Sequence, residues 1–430
     1  MSNAFGPRVL ATLESDADIS KTTLENQRKG FFWVIVYLVF EYLRPQDYVP
    51  AIGYLHPAWI IIPLMMMRWP KGAFDQARCR QVSVLLVLSL MLLVSIPFVA
   101  NHRRAYEFAI GIVLLLPFCV SIILLVNTVD RVLTFVKCWA LLGLYAACGS
   151  ILHPGGMYWG SYFLGDRNDV ALLLDMLLPL AWCMFAYERA WARKAFYLLV
   201  TLLCVVGTVL TTSRGGFVGL LAAMFVLWLL NRRKIPALIL VAILSISVYE
   251  VAPSSYWSHI STIQATGEGT AKGRLDSWMA AWRMFKDNPL GVGGGQFAIR
   301  FPEYQGDAFG EHNMWGREAH SLWFTILAEL GIPGAILFAA HLRANWKALR
   351  HLRNLPPIEG QPLPLLLSTA FAASFAGYLC AGTFLSAFYY PHYWFMSALL
   401  VATDRALSRK SSEGQPREGA VAGGFRGAGA

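Results

Sequence analysis

Charge is scarce in this chain. Of its 430 residues only 14% are Asp, Glu, Lys or Arg, whereas 56% are hydrophobic and the mean hydropathy is +0.49. A soluble domain carries about a quarter of its residues charged, so an ordinary water-facing surface is excluded. Cysteine is sparse and unpatterned. Cys79, Cys119, Cys138, Cys148, Cys183, Cys204 and Cys380 contain no CxxC pair, which points to small buried hydrophobes rather than disulfides or a metal site. No repeat of fixed period appears, and the one Gly-rich turn, Gly291 with Gly293, Gly294 and Gly295, follows no strand and so is no dinucleotide fingerprint.

What is present is a series of apolar runs, each about the 17 to 25 residues that cross a bilayer as helix. They fall near 31–48, 51–67, 82–100, 105–127, 131–152, 169–188, 195–212, 215–231, 235–252, 320–340, 364–382 and 387–403. The expected fold is therefore an all-α polytopic membrane protein of about twelve transmembrane helices. Residues 1–30 form an N-terminal tail, 31–252 the first part of the bundle, 253–319 a large polar loop, 320–403 the rest of the bundle and 404–430 a flexible tail. No cleavage site follows the first apolar run, so it reads as an anchored span rather than a signal peptide.

Short-loop cations give the orientation. With both termini cytoplasmic, the inner loops hold Arg68, Lys71, Arg78, Arg80, Arg131, Arg189, Arg193, Lys194, Arg232, Arg233, Lys234, Arg343, Lys347, Arg350 and Arg353. The outer loops hold only Arg44, Arg103, Arg104, Arg167 and Arg214. The 253–319 loop is then external, and the formal net charge of +10 is largely explained by turns facing anionic headgroups rather than by nucleic acid.

Within that loop Ser261–Gly273 reads as linker. Leu275, Trp278, Met279, Trp282 and Phe285 then recur at helical spacing until Pro289, with Arg274, Asp276, Arg283 and Lys286 largely off the stripe. This predicts an amphipathic helix lying at the membrane boundary. The loop ends in Arg317-Glu318-Ala319-His320 at the mouth of the next apolar run.

Polar groups at such a boundary are costly and are often kept for chemistry. Arg214 sits in the turn Thr211-Thr212-Ser213-Arg214-Gly215-Gly216, where hydroxyls and glycines add donors and close backbone approach suited to phosphate oxygens. A lone arginine there would simply snorkel. Arg274 opens the amphipathic helix, where free N–H groups favour an anion; standing alone it would be a surface charge. His320 has the chemistry of a general base, against the plain alternative of an interfacial polar residue. Glu318 is a candidate to orient it, although two residues' separation on a helix points them apart. Asp166, Arg167, Asn168 and Asp169 form a polar lip for a sugar, or else a solvated turn with a helix cap. Asp175 and Glu329 lie inside apolar runs, where protonation, pairing and an ion path remain open readings.

Three blocks taken together resemble the O-antigen ligase and polymerase superfamily: Thr212-Ser213-Arg214-Gly215; Gly273-Arg274 with Trp282 and Asn288-Pro289-Leu290-Gly291-Val292-Gly293; and His320-Ser321 with Glu329-Leu330-Gly331. The ordered set carries the resemblance over roughly residues 160–400. It implies transfer of a glycan from undecaprenyl diphosphate to an acceptor hydroxyl, such as lipid A core oligosaccharide, at the periplasmic face of a bacterial inner membrane. It implies neither cofactor nor metal. Carried onto this chain, Arg214 and Arg274 bind the diphosphate and His320 is the base, with Ser213, Arg167, Asn168, Asp166, Arg317 and Glu318 as candidates for diphosphate, sugar or acceptor. The stretch Gly165-Asp166-Arg167-Asn168-Asp169 departs from the plainer Gly and Asn pattern of many relatives. Repeat-unit polymerase and protein O-glycosylation ligase share the donor site and stay open. A flippase or secondary transporter is the alternative of another class, and needs its polar groups near mid-membrane. An envelope scaffold would leave the arginines and histidine dispensable.

Overall fold

The computed structural model describes residues 7–154, 165–231, 267–306 and 314–413. They form helices and turns, with no strand among them. In chain order the principal helices are α1 (Pro7–Leu43), α2 (Pro57–Met66), α3 (Arg80–Ser95), α4 (His102–Leu125), α5 (Val129–Leu152), α6 (Arg167–Tyr187) and α7 (Trp191–Leu210). There follow α8 (Arg214–Leu230), α9 (Gly267–Asp287), α10 (Phe297–Tyr304), α11 (Leu322–Asn354), α12 (Leu363–Gly382) and α13 (Pro391–Glu413). Among the described residues, seven helical segments are long and apolar enough to cross a membrane: Arg80–Phe98, α4, α5, α6, α7, α11 and α12.

The all-α class is as expected; the details differ from the expected spans in several places. The expected span at 51–67 is not one helix: the chain restarts at Pro45, Pro50 and Pro57 as two short helical turns, Pro45–Tyr48 and Pro50–Tyr54, and the ten-residue α2, with left-handed backbone at Arg44 and His56. Ten helical residues reach only about 15 Å, half a hydrocarbon core. The N-terminal stretch expected to be a mobile tail is helical from Pro7. Its later turns are tied to the bundle where Arg68 donates to Asn26 (2.9 Å) and Asn127 to Gln27 (3.2 Å). Helix α13 likewise runs on to Glu413, and the expected linker is helical from Gly267. The expected span at 235–252 lies outside the described residues.

Helix α6 is the axle. It packs against α5, α7, α8 and α12, and 78% of its most apolar window is buried, more than in any other candidate span. Close approach is allowed by small residues: a Cβ on Gly219 of α8 would overlap the Asp175 carboxylate of α6 and come within 2.8 Å of Ala381 of α12. Packing of this kind drives helix association where lipid removes the hydrophobic gain. Caps fix where the helices begin. Asp166 accepts from Asn168 N–H (2.6 Å), Ser213 from Gly216 N–H (3.0 Å) and Asn101 from Arg104 N–H (2.9 Å).

The apolar run at 320–340 is not one rod. Gly331 has φ 62° and ψ −155°, a region open essentially to glycine. The ring of Trp323 lies only 6.0 Å from that of Phe338, whereas fifteen residues of straight helix would separate them by roughly 22 Å. Helix α11 is therefore a short arm, 322–330, folded back on a 23-residue segment, 332–354, of spanning length. Backbone groups freed at this break are bonded by the Gly-rich turn of the loop. Val292 N–H reaches Ala328 O (3.0 Å), Gly293 N–H reaches Glu329 O (2.9 Å), and Ile332 N–H reaches Pro289 O (2.9 Å). A Cβ on Gly331 would overlap the Pro289 carbonyl, and one on Gly291 the Glu329 carbonyl. The Asn288–Gly293 and Glu329–Gly331 motifs are thus two halves of one joint, which docks α9 onto the bundle.

Glu329 belongs to that joint. Its carboxylate accepts from Phe297 N–H (3.1 Å), at the first turn of α10, and from the Tyr389 hydroxyl (2.7 Å). Asp175 is different. It is fully buried, takes a long 3.4 Å bond from Thr208, and its second oxygen has no donor among the described residues.

Candidate active site

One end of the bundle gathers the starts of α4, α6 and α8, the loop, and the link from α12 to α13. Cross-links define it: Gln296 and the Asn101 backbone bond each other both ways (2.9 and 3.0 Å), and Ser213 donates to Asn168 (2.7 Å). Tyr390 donates to Asp169 (2.7 Å), and His320 N–H donates to Ser386 (3.0 Å).

Three pieces of backbone aim the side chains. In the first, Thr212 is held at φ 56°, a costly conformation for a β-branched residue. Its hydroxyl accepts from the Arg167 guanidinium at 3.0 Å. Ser213 then caps α8, which leaves Arg214 exposed as the first helical residue. The second piece is α9. Its inward side is small and fully buried at Ser277, Ala280 and Ala281, with Met284 beside them, while Leu275, Met279 and Trp282 stay 60%, 51% and 43% exposed. Trp278 stacks on Phe324 of the short arm at 5.5 Å and stands near Phe384. Arg274, on that same flank, is half-buried. The third piece is the loop's exit. Arg317 donates to Ser277 (2.8 Å) and lies over the Phe301 ring, and His320 follows at φ 48°.

Electrostatics tie these pieces together. Burial lowers the Arg274 pKa first, and the charges of Arg214 and Arg167 lower it further, with Asp166 opposing. His320 is lowered from 6.5, again by burial first, then by Arg274 and Arg317, with Asp166 again opposing. Among the described residues, Arg274 thus feels Arg214, Arg167 and Asp166, while His320 feels Arg274, Arg317 and Asp166, so Arg274 and Asp166 link the two sets. Arg167 and Arg214 are exposed and Arg274 and Arg317 half-buried, so the repulsion is felt most at Arg274, where a nearby anion would offset it. The depressed pKa keeps His320 neutral and able to accept a proton near pH 7.

Not every candidate joins the cluster in the expected way. Glu318 pairs with Arg104 of α4 (2.9 Å), not with His320; that arginine also donates to Gly295 O (2.8 Å) and lies over Phe108. Burial raises the Glu318 pKa and Arg104 opposes the shift. Asn168 and Ser213 are engaged with each other, and Asp169 is turned inward to Tyr390. The sequence reading missed Arg104, Ser386 and Tyr390. Each meets its partner across 66 to 221 positions, and no local pattern marks such a pairing.

Residues 199–339 match the family model described as O-antigen ligase. The chain has no match among curated proteins. The matched segment begins in α7 and ends just past the α11 joint, so it holds Arg214, Arg274, Arg317, Glu318 and His320, while Asp166, Arg167 and Asn168 precede it. That segment, about a third of the chain, is similar to the O-antigen ligase family, whose members are membrane glycosyltransferase-like ligases and polymerases.

Proposed function

We propose that the chain transfers a glycan en bloc from undecaprenyl diphosphate to an acceptor hydroxyl, with lipid A core oligosaccharide as the leading acceptor, at the periplasmic face of the inner membrane. The observation that carries this reading is the group of four guanidiniums, Arg167, Arg214, Arg274 and Arg317, beside a neutral histidine. A polyprenyl diphosphate brings its anionic head to the bilayer boundary, and the exposed apolar side of α9 suits that boundary as well.

In this mechanism Arg214 and Arg274 bind the diphosphate, which leaves as charge builds on its bridging oxygen. Donors aimed at that developing charge stabilise the transition state. The acceptor O–H gives its proton to the His320 imidazole, its oxygen bonds to the anomeric carbon, and the bond from that carbon to the diphosphate breaks. Direct displacement inverts the anomeric centre. Asp166 acts on His320 as well and would stabilise the imidazolium that forms. Arg167 and Arg317, which bond the hydroxyls of Thr212 and Ser277, would steady the donor head.

The decisive experiment incubates purified protein with lipid-linked glycan, with and without acceptor, for wild type and His320→Ala. Acceptor-dependent capture of the whole glycan by wild type alone is the expected result. Chain growth without acceptor would reassign the protein as a polymerase, and undiminished transfer by the variant would remove His320 from the chemistry.

A further inference from the structure

The loop carries a second polar hollow, away from the arginine cluster. Arg283, Lys286 and Asp287 of α9 face Glu303 and Tyr304 of α10 and the adjoining Gln305 across a cleft of about 290 Å³. That is at the small end of ligand clefts, which run from roughly 300 Å³ upward, so it suits a sugar-sized group rather than a lipid.

Its walls are held by bonds among their own residues. The Tyr304 hydroxyl accepts from Asn288 at 3.1 Å, and the Arg300 guanidinium lies 5.6 Å from the Tyr304 ring centre. Arg300 is in turn gripped by Glu303 through two bonds, 2.9 and 2.8 Å, and Arg283 reaches the Tyr304 carbonyl at 3.4 Å. Glu303 is thereby neutralised by Arg300. Among the described residues the remaining cleft charges are the cations Arg283 and Lys286 against the carboxylate Asp287, a net positive set beside a phenol ring. Sugar rings present hydroxyl pairs that a carboxylate accepts from, and an apolar face that an aromatic ring can cover. The surplus cation calls for a negative substituent.

Position along α9 gives the scale. Arg283 and Asp287 lie nine and thirteen residues beyond Arg274, roughly 14 to 20 Å along the axis, and helical rotation turns them to the other flank. A group bound there cannot be the diphosphate. A glycan several sugars long would reach it.

Building on the transfer reading above, we propose that this cleft is a remote glycan subsite for an acidic sugar. Arg283 and Lys286 take the sugar's carboxylate or phosphate, Asp287 accepts from ring hydroxyls, and Tyr304 forms the wall. The sugar comes from the glycan of the donor or from the acceptor oligosaccharide.

The test uses the full chain in nanodiscs and saturation-transfer NMR with disaccharides carrying glucuronic acid, galacturonic acid or a sugar phosphate, each beside its neutral counterpart. At least one acidic probe should bind ten-fold or more tightly than its neutral form. Arg283→Ala with Lys286→Ala, and separately Asp287→Asn, should each weaken it by a further ten-fold, while Arg214→Ala leaves it unchanged. Thermal unfolding checks that the variants are folded. Equal binding of neutral and acidic probes, no binding at all, or equal loss in Arg214→Ala overturns the subsite. In transfer assays, a raised KM for donor assigns the sugar to the donor glycan and a raised KM for acceptor to the acceptor; no change in either overturns a role in transfer. Full activity of His320→Ala would sink the catalytic reading while leaving the direct-binding result intact.

Discussion

Two histidines of this chain sit in opposite circumstances. His341, in the spanning part of α11, is buried among partners: its ring bonds Tyr393 at 2.8 Å and, at 3.4 Å, Asn345 and Ser397, and Ser397 bonds Asn345 at 2.7 Å. His320 sits on left-handed backbone, half-buried, with Arg274 and Arg317 as electrostatic neighbours. The first cluster satisfies its own polar groups and so specifies how α11 meets α13. The second sets the cations Arg274 and Arg317 around a titratable ring, with Asp166 as the opposing charge. A closed polar network reads as architecture, and a gathering of like charges around a titratable ring as a place for a ligand.

The sharpest way to break this contrast is to exchange the consequences of the two residues. His320→Ala should lower transfer by about 10² to 10⁴-fold, the range of a lost general base, with an unaltered melting temperature. A variant that melts early and transfers normally per folded molecule would reverse the assignment. Next in size, Arg274→Ala should cost about 10² to 10³-fold in kcat, comparable to removing one oxyanion donor. Arg214→Lys should be impaired too, since an ammonium cannot reproduce a planar fork on phosphate. Full activity with Lys would mean that Arg214 only snorkels.

On the architectural side the expected losses are of stability. Gly331→Ala should destabilise by about 1 to 3 kcal/mol from backbone strain alone, and more where its methyl meets the Pro289 carbonyl. Loss of a cooperative unfolding step involving α9 and α11 in hydrogen exchange would locate the damage; normal melting would mean that the joint relaxes freely. His341→Ala should lower stability by about 1 to 3 kcal/mol, the cost of leaving buried partners unsatisfied, while transfer per folded molecule stays near wild type.

The smallest effect sharpens the electrostatic side. Because the His320 pKa is depressed below 6.5 by burial and by Arg274 and Arg317, against Asp166, the rate should hold through neutrality. It should then fall as pH drops through that lowered value. Arg317→Gln removes one of the opposing cations, so the pKa rises and the acidic limb of kcat/KM moves to higher pH. A limb that stays put would show that Arg317 does not act on His320.

Much of this was legible in the chain. The helical class follows from apolar runs, because a backbone in lipid must satisfy itself within a helix. Arg214, Arg274 and His320 stood out as polar groups at the edges of such runs. What misled was treating a run as a rod. Pro57 divides 51–67, and Gly331 folds 320–340 back on itself, yet mean hydropathy averages over both. Glu318 misled for another reason: its nearness to His320 in sequence suggested a dyad, while the cation that claims it, Arg104, stands 214 positions away.

The amino-acid order by itself determined that this is a bundle of apolar helices with cations confined to its edges, because burial and hydrogen bonding are decided residue by residue along each helix. Only the tertiary structure decided that α6, α8, α9 and the end of the loop bring Arg167 and Arg214 to Arg274, and Arg274 and Arg317 to His320. That convergence depends on long-range packing through Gly219 and on the backbone joint at Gly331, contacts whose two halves lie too far apart in the chain for any local pattern to pair them.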